Sequence, residues 1–275
     1  MFEQLKYKNH LNEVFEFGKD GIFVDENALH DYEWGVTTKN NKISAFTYKV
    51  SKRTLPVVII CETEAQGIAA RNKLFEVVEK DVLAQQHGKV IIGGYYFRCF
   101  VTKSKKKDYL TTKRYMRLTL TLSSDYPFWV KETTHKFAAQ SSGGESAADL
   151  DYPLAYPFDY HSGLGLDELN NTGFTKTNFR MVFYGPCVNP VVYIAGHAYQ
   201  VNCTVAANEY IQIDSTSKTI KLIANDGKET NVFNLRNRDS YIFEKIPAGV
   251  VDVAWDGTFV FDVILLEERS EPKWT

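Results

Sequence analysis

The sequence predicts a mainly β protein of two domains, from three observations: many aromatic and β-branched residues, short alternating apolar runs, and a single helical stretch. The 275 residues include 18 Phe and 16 Tyr but only 3 Met, and Val, Ile and Thr recur in short runs. Such residues fit a pleated, half-buried surface. Hydrophobic residues make up 44% and charged residues 24%, which supports real cores rather than a disordered chain. A chain of this length exceeds an ordinary single domain and predicts two.

The first half opens with Phe2 to Phe17 and a Gly18/Gly21 turn, followed by strand signals at Ile43–Val50 and Leu55–Cys61. Residues from about Glu64 to Leu83 read as a helix. Thr63 is its N-cap with Gln66 three residues on, and Ile68, Leu74, Phe75, Val78 and Val82 recur at helical spacing on one face. That face is expected to pack across a sheet. Next, Val90–Ile92, Gly93-Gly94 and the alternating Tyr95, Phe97, Cys99 and Val101 predict a hairpin with a Gly-Gly turn. Met116, Leu118, Leu120 and Leu122 alternate with Arg117, Thr119 and Thr121, which predicts a partner strand with one wetted face. Between these strands, Lys103–Thr112 is expected to form a basic tip. Several strands, one helix and a long hairpin fit a β-barrel or sandwich bearing a single helix.

Gln140–Asp149 is small and polar and suits a linker. The expected partition is an N-terminal β domain over 1–137, a flexible linker over 138–150 and a second domain over 151–275. In the second domain Phe179–Tyr184, Val191–Ala195, Tyr199–Val205, Tyr210–Asp214, Thr219–Ile223, Tyr241–Phe243, Val250–Trp255 and Phe259–Leu266 read as strands. Turn signals such as Asn225-Asp226-Gly227 and Asp256-Gly257 separate them, which indicates an antiparallel sandwich.

Charge and motifs narrow the function. The net charge of -2 and pI near 6.3 lack the basic excess that bulk nucleic-acid binding requires. Cys61, Cys99, Cys187 and Cys203 are far apart, form no Cys-x-x-Cys pair, and read as reduced core residues. Met1 to Asn12 has no apolar stretch to serve as a signal peptide, and the longest apolar run, Val57–Cys61, is too short to span a bilayer. The expectation is therefore a protein made and folded in a cytoplasm, with no membrane partner.

The Gly-Lys pairs at Gly18, Gly88 and Gly227 lack the phosphate-cradling spacing and the following Ser or Thr. The histidines His10, His30, His87, His135, His161 and His197 are scattered, with no His-Glu-x-x-His and no nucleophile elbow. Paired carboxylates would serve glycoside cleavage, but Asp149, Asp151 and Asp159, like Glu267, Glu268 and Glu271, read as solvated surface. No catalytic residue, cofactor or metal site is expected.

Two surfaces stand out. Lys103, Lys105, Lys106 and Lys107, with Tyr109, read either as a solvated tip that discourages edge-to-edge aggregation or as an interface for an acidic neighbouring subunit or passing DNA. Trp255, with Asn225 and Asp226, marks a possible ligand or partner surface, although Trp255 can equally be a core plug.

From Phe179 onward the order of short words is more specific than any one of them. Phe183-Tyr184-Gly185-Pro186 and Asn189-Pro190 precede a strand, and Glu209-Tyr210-Ile211-Gln212-Ile213-Asp214 lies in mid-domain. Asn231-Val232-Phe233-Asn234, Ile246-Pro247-Ala248-Gly249, Trp255 and the closing Glu268-Arg269-Ser270-Glu271-Pro272-Lys273-Trp274 follow. In this the chain resembles phage distal tail proteins, the hub subunits at the end of long non-contractile tails. The first half is similar too, ending in Asp125-Tyr126-Pro127-Phe128-Trp129.

The resemblance implies an N-terminal domain that assembles as a homo-hexameric ring, singly or as back-to-back rings, beneath the tail tube. It implies a galectin-like sandwich that projects outward, and a place in the virion tail tip. Tail tube, tail-tip or tail-associated and receptor-binding proteins are the implied partners, with transient contact to passing DNA. The His, Asn, Arg, Trp and Glu set with which galectins bind sugar has no match here. A carbohydrate-binding adhesion module and a cell-wall hydrolase are the competing classes.

Overall fold

In the computed structural model, which describes residues 5–110, 112–139 and 165–274, the predicted helix is delimited by its own side chains. Helix α1 spans Glu64–Ala84. The Thr63 hydroxyl accepts from the Gln66 backbone at 3.2 Å and the Gln66 side chain accepts from the Thr63 backbone at 3.1 Å, so two orphan donors are satisfied reciprocally. Its buried stripe is Gly67, Ala70, Leu74, Val77, Val78 and Asp81. Ile68 and Val82, expected to face inward, are 41% and 42% exposed. Packing turns the helix so that Gly67 abuts the Lys113 backbone, where a Cβ would collide.

The chain divides into two units, Met1–Lys131 with Glu268–Thr275, and Glu132–Glu267. In the first, β1 (Lys6–Lys8), β2 (Val14–Glu16), β3 (Ile22–Val24), β4 (Gly35–Lys39), β5 (Lys42–Thr47) and β6 (Ser51–Ile60) precede α1. Following it are β7 (Gly88–Ile92), β8 (Tyr95–Lys107), β9 (Tyr115–Ser124) and β10 (Trp129–Phe137). The Gly-Gly turn is as expected: Ile92 pairs with Tyr95, and Gly93 and Gly94 both have positive φ.

The long strand β8 serves two sheets. Its first half pairs with β7 and β10, its second half with β9, and the register shifts between Val101 and Lys103. Among the described residues no closed barrel results, because β3-β6-β9 and β2-β1-β7 meet there through β8 alone. Between these layers and α1 lie Leu55, Val57, Ile59, Leu118, Leu120, Phe97 and Trp129.

The final residues return to this unit. The Ser270 carbonyl accepts from Arg53 at 3.4 Å, the Glu268 carboxylate accepts from the Tyr126 hydroxyl, and the Trp274 indole stacks on His30 at 4.1 Å. The division between these units falls within β10, and Phe137 belongs to the second core. The 138–150 linker lies outside the described residues save for 138 and 139.

The second unit contains β11 (Gly165–Asn171), β12 (Asn178–Tyr184), β13 (Cys187–Val188), β14 (Val191–Ile194), β15 (His197–Gln200) and β16 (Thr204–Val205). They are followed by β17 (Tyr210–Asp214), β18 (Thr219–Ile223), β19 (Glu229–Asn231), β20 (Gly249–Trp255) and β21 (Phe261–Arg269). Antiparallel sheets β19-β18-β17-β12-β21 and β11-β20-β14-β15 enclose one core. Phe179, Met181, Phe183, Ile211, Ile213 and Phe261 enter it from the first sheet, and Leu169, Val192, Ile194, Val253 and Trp255 from the second. This is the antiparallel sandwich that the strand spacing predicts.

Tyr241–Phe243 is a turn rather than a strand. Its backbone closes on itself, with Glu244 N donating to the Tyr241 carbonyl at 2.9 Å, while Ile242 and Phe243 plug the core. Tyr199–Val205 likewise breaks into β15 and β16.

The four cysteines are free thiols, Cys99 and Cys187 buried, Cys61 and Cys203 half-buried. Burial, reinforced by the nearby Asp81 carboxylate, pushes the Cys99 thiol from 9.0 up to about 12. In that window the folded thiol stays protonated while the unfolded chain ionises, so unfolding releases a proton. Stability conferred by the neutral thiol is complete below pH 9 and falls as pH rises, by about 1.4 kcal/mol per unit. Urea titrations of the wild type and Cys99→Ala at about pH 8 and about pH 10.5 should show the variant with the shallower pH dependence. Equal slopes would remove this assignment.

Candidate interface site

One exposed apolar feature is a ribbon that the sequence reading does not single out. Strands β4 and β5 form a two-stranded ribbon hydrogen-bonded to no other strand among the described residues. They turn through Asn40-Asn41, both at positive φ, with Lys39 paired to Lys42. Two adjacent Asn between alternating residues are a type I′ signal, so this element was within reach of the sequence. Val36, Ile43 and Phe46 on the ribbon are 52%, 58% and 63% exposed. At its root Trp34, Tyr48 and Phe128 pack together, Tyr48 and Phe128 at 4.9 Å and Trp34 and Phe128 at 5.9 Å. A ribbon of two strands is marginal in water and carries two open edges.

The expected basic tip is placed differently. Lys103, Lys105, Lys106 and Lys107 are residues of β8, which runs through Lys107, and the turn is the following Asp108-Tyr109-Leu110 segment. Tyr109 is 49% exposed there. The Lys106 ammonium sits 4.6 Å from the centre of the Phe75 ring of α1, a cation–π contact. Lys103, Lys105 and Lys107 pair across to Thr121, Thr119 and Arg117 and share their face.

In the second unit Trp255 is buried at 1% exposure beside Phe137 and Phe261. The alternation of β20 turns its indole inward, so it is a core plug and offers no platform to a ligand. Asn225 and Asp226 are exposed on the β18–β19 turn, which the Lys221–Glu229 ion pair at 2.6 Å braces.

Several polar residues that could have carried chemistry are engaged. The Asp81 carboxylate accepts from the Tyr7 hydroxyl at 2.6 Å and from the His10 backbone at 2.9 Å, and bonds the His10 ring at 2.6 Å. His87 bonds Asp125 at 3.1 Å, and His197 bonds the Tyr241 carbonyl at 2.9 Å. Burial raises all four thiols, the opposite of what activates a nucleophilic cysteine. Among the described residues no three His, Cys, Asp or Glu side chains are grouped to hold a metal, and no helix is long and apolar enough to cross a membrane. Asp149, Asp151, Asp159 and His161 lie outside the described residues.

No family model and no curated protein sequence matches the chain. Solved structures of phage proteins match it over almost its whole length. The SPP1 Dit protein, described as a paradigm of the hub adsorption apparatus in phages infecting Gram-positive bacteria, matches with a TM-score of 0.58 at 10% identity. That match covers 98% of this chain and 100% of that one. A chain of the phage P2 baseplate in its activated conformation with Ca matches at TM-score 0.65 and 11% identity, covering 99% and 100%. A chain of the phage p2 baseplate in its activated conformation with Sr matches at 0.59 and 12%, covering 96% and 98%. At these identities the likeness is one of fold.

Proposed function

We propose that this chain is a structural hub of a phage tail tip. Six copies form a ring that joins the tail tube to the baseplate or receptor-binding apparatus and leaves a hole through which DNA passes. The observation that carries the reading is the fold match to SPP1 Dit, which leaves almost no part of either chain unaccounted for. The protein is made in the cytoplasm of the bacterial host, resides at the virion tail tip, and works by assembly rather than catalysis.

The ring interface is the β4–β5 ribbon, whose apolar side chains a neighbouring copy covers and whose open edges the neighbour pairs. Such a heterologous contact closes into a ring when its rotation closes. The second unit then presents its loops, the Asn225–Asp226 turn among them, to tail-tip and receptor-binding partners.

Light scattering coupled to gel filtration, with negative-stain microscopy of the same fraction, tests this. The expected result is a mass of six 31.4 kDa subunits, or twice that for back-to-back rings, and six-fold images with a central hole. A monomer in solution, together with labelled antibody binding away from the tail tip on virions, would sink it.

A further inference from the structure

The charge of this chain is sorted by unit, which its near-neutral total conceals. The first unit carries 23 Lys and Arg against 17 Asp and Glu, and the second carries 9 against 17. The cationic excess concentrates on one exposed sheet face. Strands β6, β8 and β9 contain no Asp or Glu at all. Their register sets Lys103 beside Thr121 and Thr54, Lys105 beside Thr119, and Lys107 beside Arg117, while Lys52 lies across from Ser123. Opposite partners in a sheet point the same way. Because Met116, Leu118, Leu120 and Leu122 are the buried side of β9, Arg117, Thr119 and Thr121 point outward with the three lysines.

We infer that this face, Lys52, Lys103, Lys105, Lys107 and Arg117 with the hydroxyls between them, binds the phosphate backbone of double-stranded DNA. Three observations favour that occupant. Lys107 and Arg117 stand directly opposite each other, a like-charge pair that costs stability in a sheet. Among the described residues none of the five cations has a carboxylate partner in an ion pair, so an external polyanion would relieve the repulsion. Lysines on one strand face recur about every 6.7 Å, a row suited to successive charges on an extended backbone. The hydroxyls of Thr54, Thr119, Thr121 and Ser123 are exposed or half-buried between the cations, and Lys, Ser and Thr are habitual phosphate donors. A protein partner fits less well, since lysine is depleted from protein interfaces.

Up to five phosphate contacts make a weak, reversible hold. At a slope of about -0.9 per contact, affinity should fall on the order of a few hundred-fold between about 50 and 200 mM salt. The contact is thus one along which DNA moves, and it reads no base sequence.

The test measures fluorescence anisotropy of a labelled random-sequence duplex with the whole chain across a salt series. Lys103→Gln/Lys105→Gln/Lys107→Gln should flatten the log–log salt slope by about 2.7, three contacts at about 0.9 each. It should also weaken binding at least ten-fold at low salt. Lys52→Gln/Arg117→Gln, on neighbouring strands, should act in the same sense, whereas Lys136→Gln/Lys228→Gln/Lys273→Gln, at exposed positions off this face, should change little. No duplex binding by the wild type at low salt, or equal loss in the control, overturns the inference. Loss of self-association in the triple variant without any duplex binding overturns it as well, and assigns the face to an acidic second copy. The measurement reads binding by whatever assembly the chain forms, so its failure leaves the ring reading standing.

Discussion

Asp81→Ala is expected to destabilise the first unit by about 3–5 kcal/mol, the range for removing one partner of a buried charged network. Asp81 is fully buried on α1 and is the shared acceptor of the Tyr7 hydroxyl, the His10 backbone and the His10 ring. Alanine would strand buried donors and leave a void. The network also fixes where the chain passes: a Cβ at Gly88 would collide with Tyr7 and Asp81, so β7 must start against them. Against a typical total stability of about 5–15 kcal/mol, this is a large fraction. Urea denaturation followed by tryptophan fluorescence measures it. Glu79→Ala, exposed on the same helix, should stay within about 0.5 kcal/mol of wild type. A comparably small effect for Asp81→Ala would mean that the network holds nothing in place.

Removing the ribbon should abolish assembly while sparing the fold. No residue of β4 or β5 belongs to the buried core. Joining Gly35 to Thr47, which already pair across the ribbon, through a short Gly-Ser link should therefore leave the denaturation midpoint near the wild-type value. The particle mass should fall from a ring to single subunits. A milder Phe46→Ser should weaken each contact by about 2 kcal/mol, the worth of one buried aromatic side chain. A ring of unchanged mass after the deletion would move the interface elsewhere on the unit.

What the sequence revealed was whatever depends on neighbours along the chain. The Thr63–Gln66 box, the Gly93-Gly94 turn and the alternation of Met116 to Leu122 are local, and each is found where it was read. The face of α1 was misread because Ile68 and Val82 satisfy helical spacing equally well. Only the close approach at Gly67 decides which stripe points inward. Tyr241–Phe243 is apolar for the sake of the core while its backbone turns, a combination that alternation cannot distinguish from a strand.

The basic face needed register as well as order. Lys103, Lys105 and Lys107 look like a solvated run until β9 brings Arg117 to them and β6 brings Lys52 close by. Trp255 needed the partner sheet, which turns it from a conspicuous aromatic into filler.

The return of residues 268–274 to the first unit, after the whole sandwich has intervened, bears on how copies are made. During translation the segment that bonds Arg53 and Tyr126 and stacks on His30 leaves the ribosome behind the entire sandwich. A half-synthesised chain therefore lacks the last piece of its leading unit, which closes only once synthesis has run through that segment.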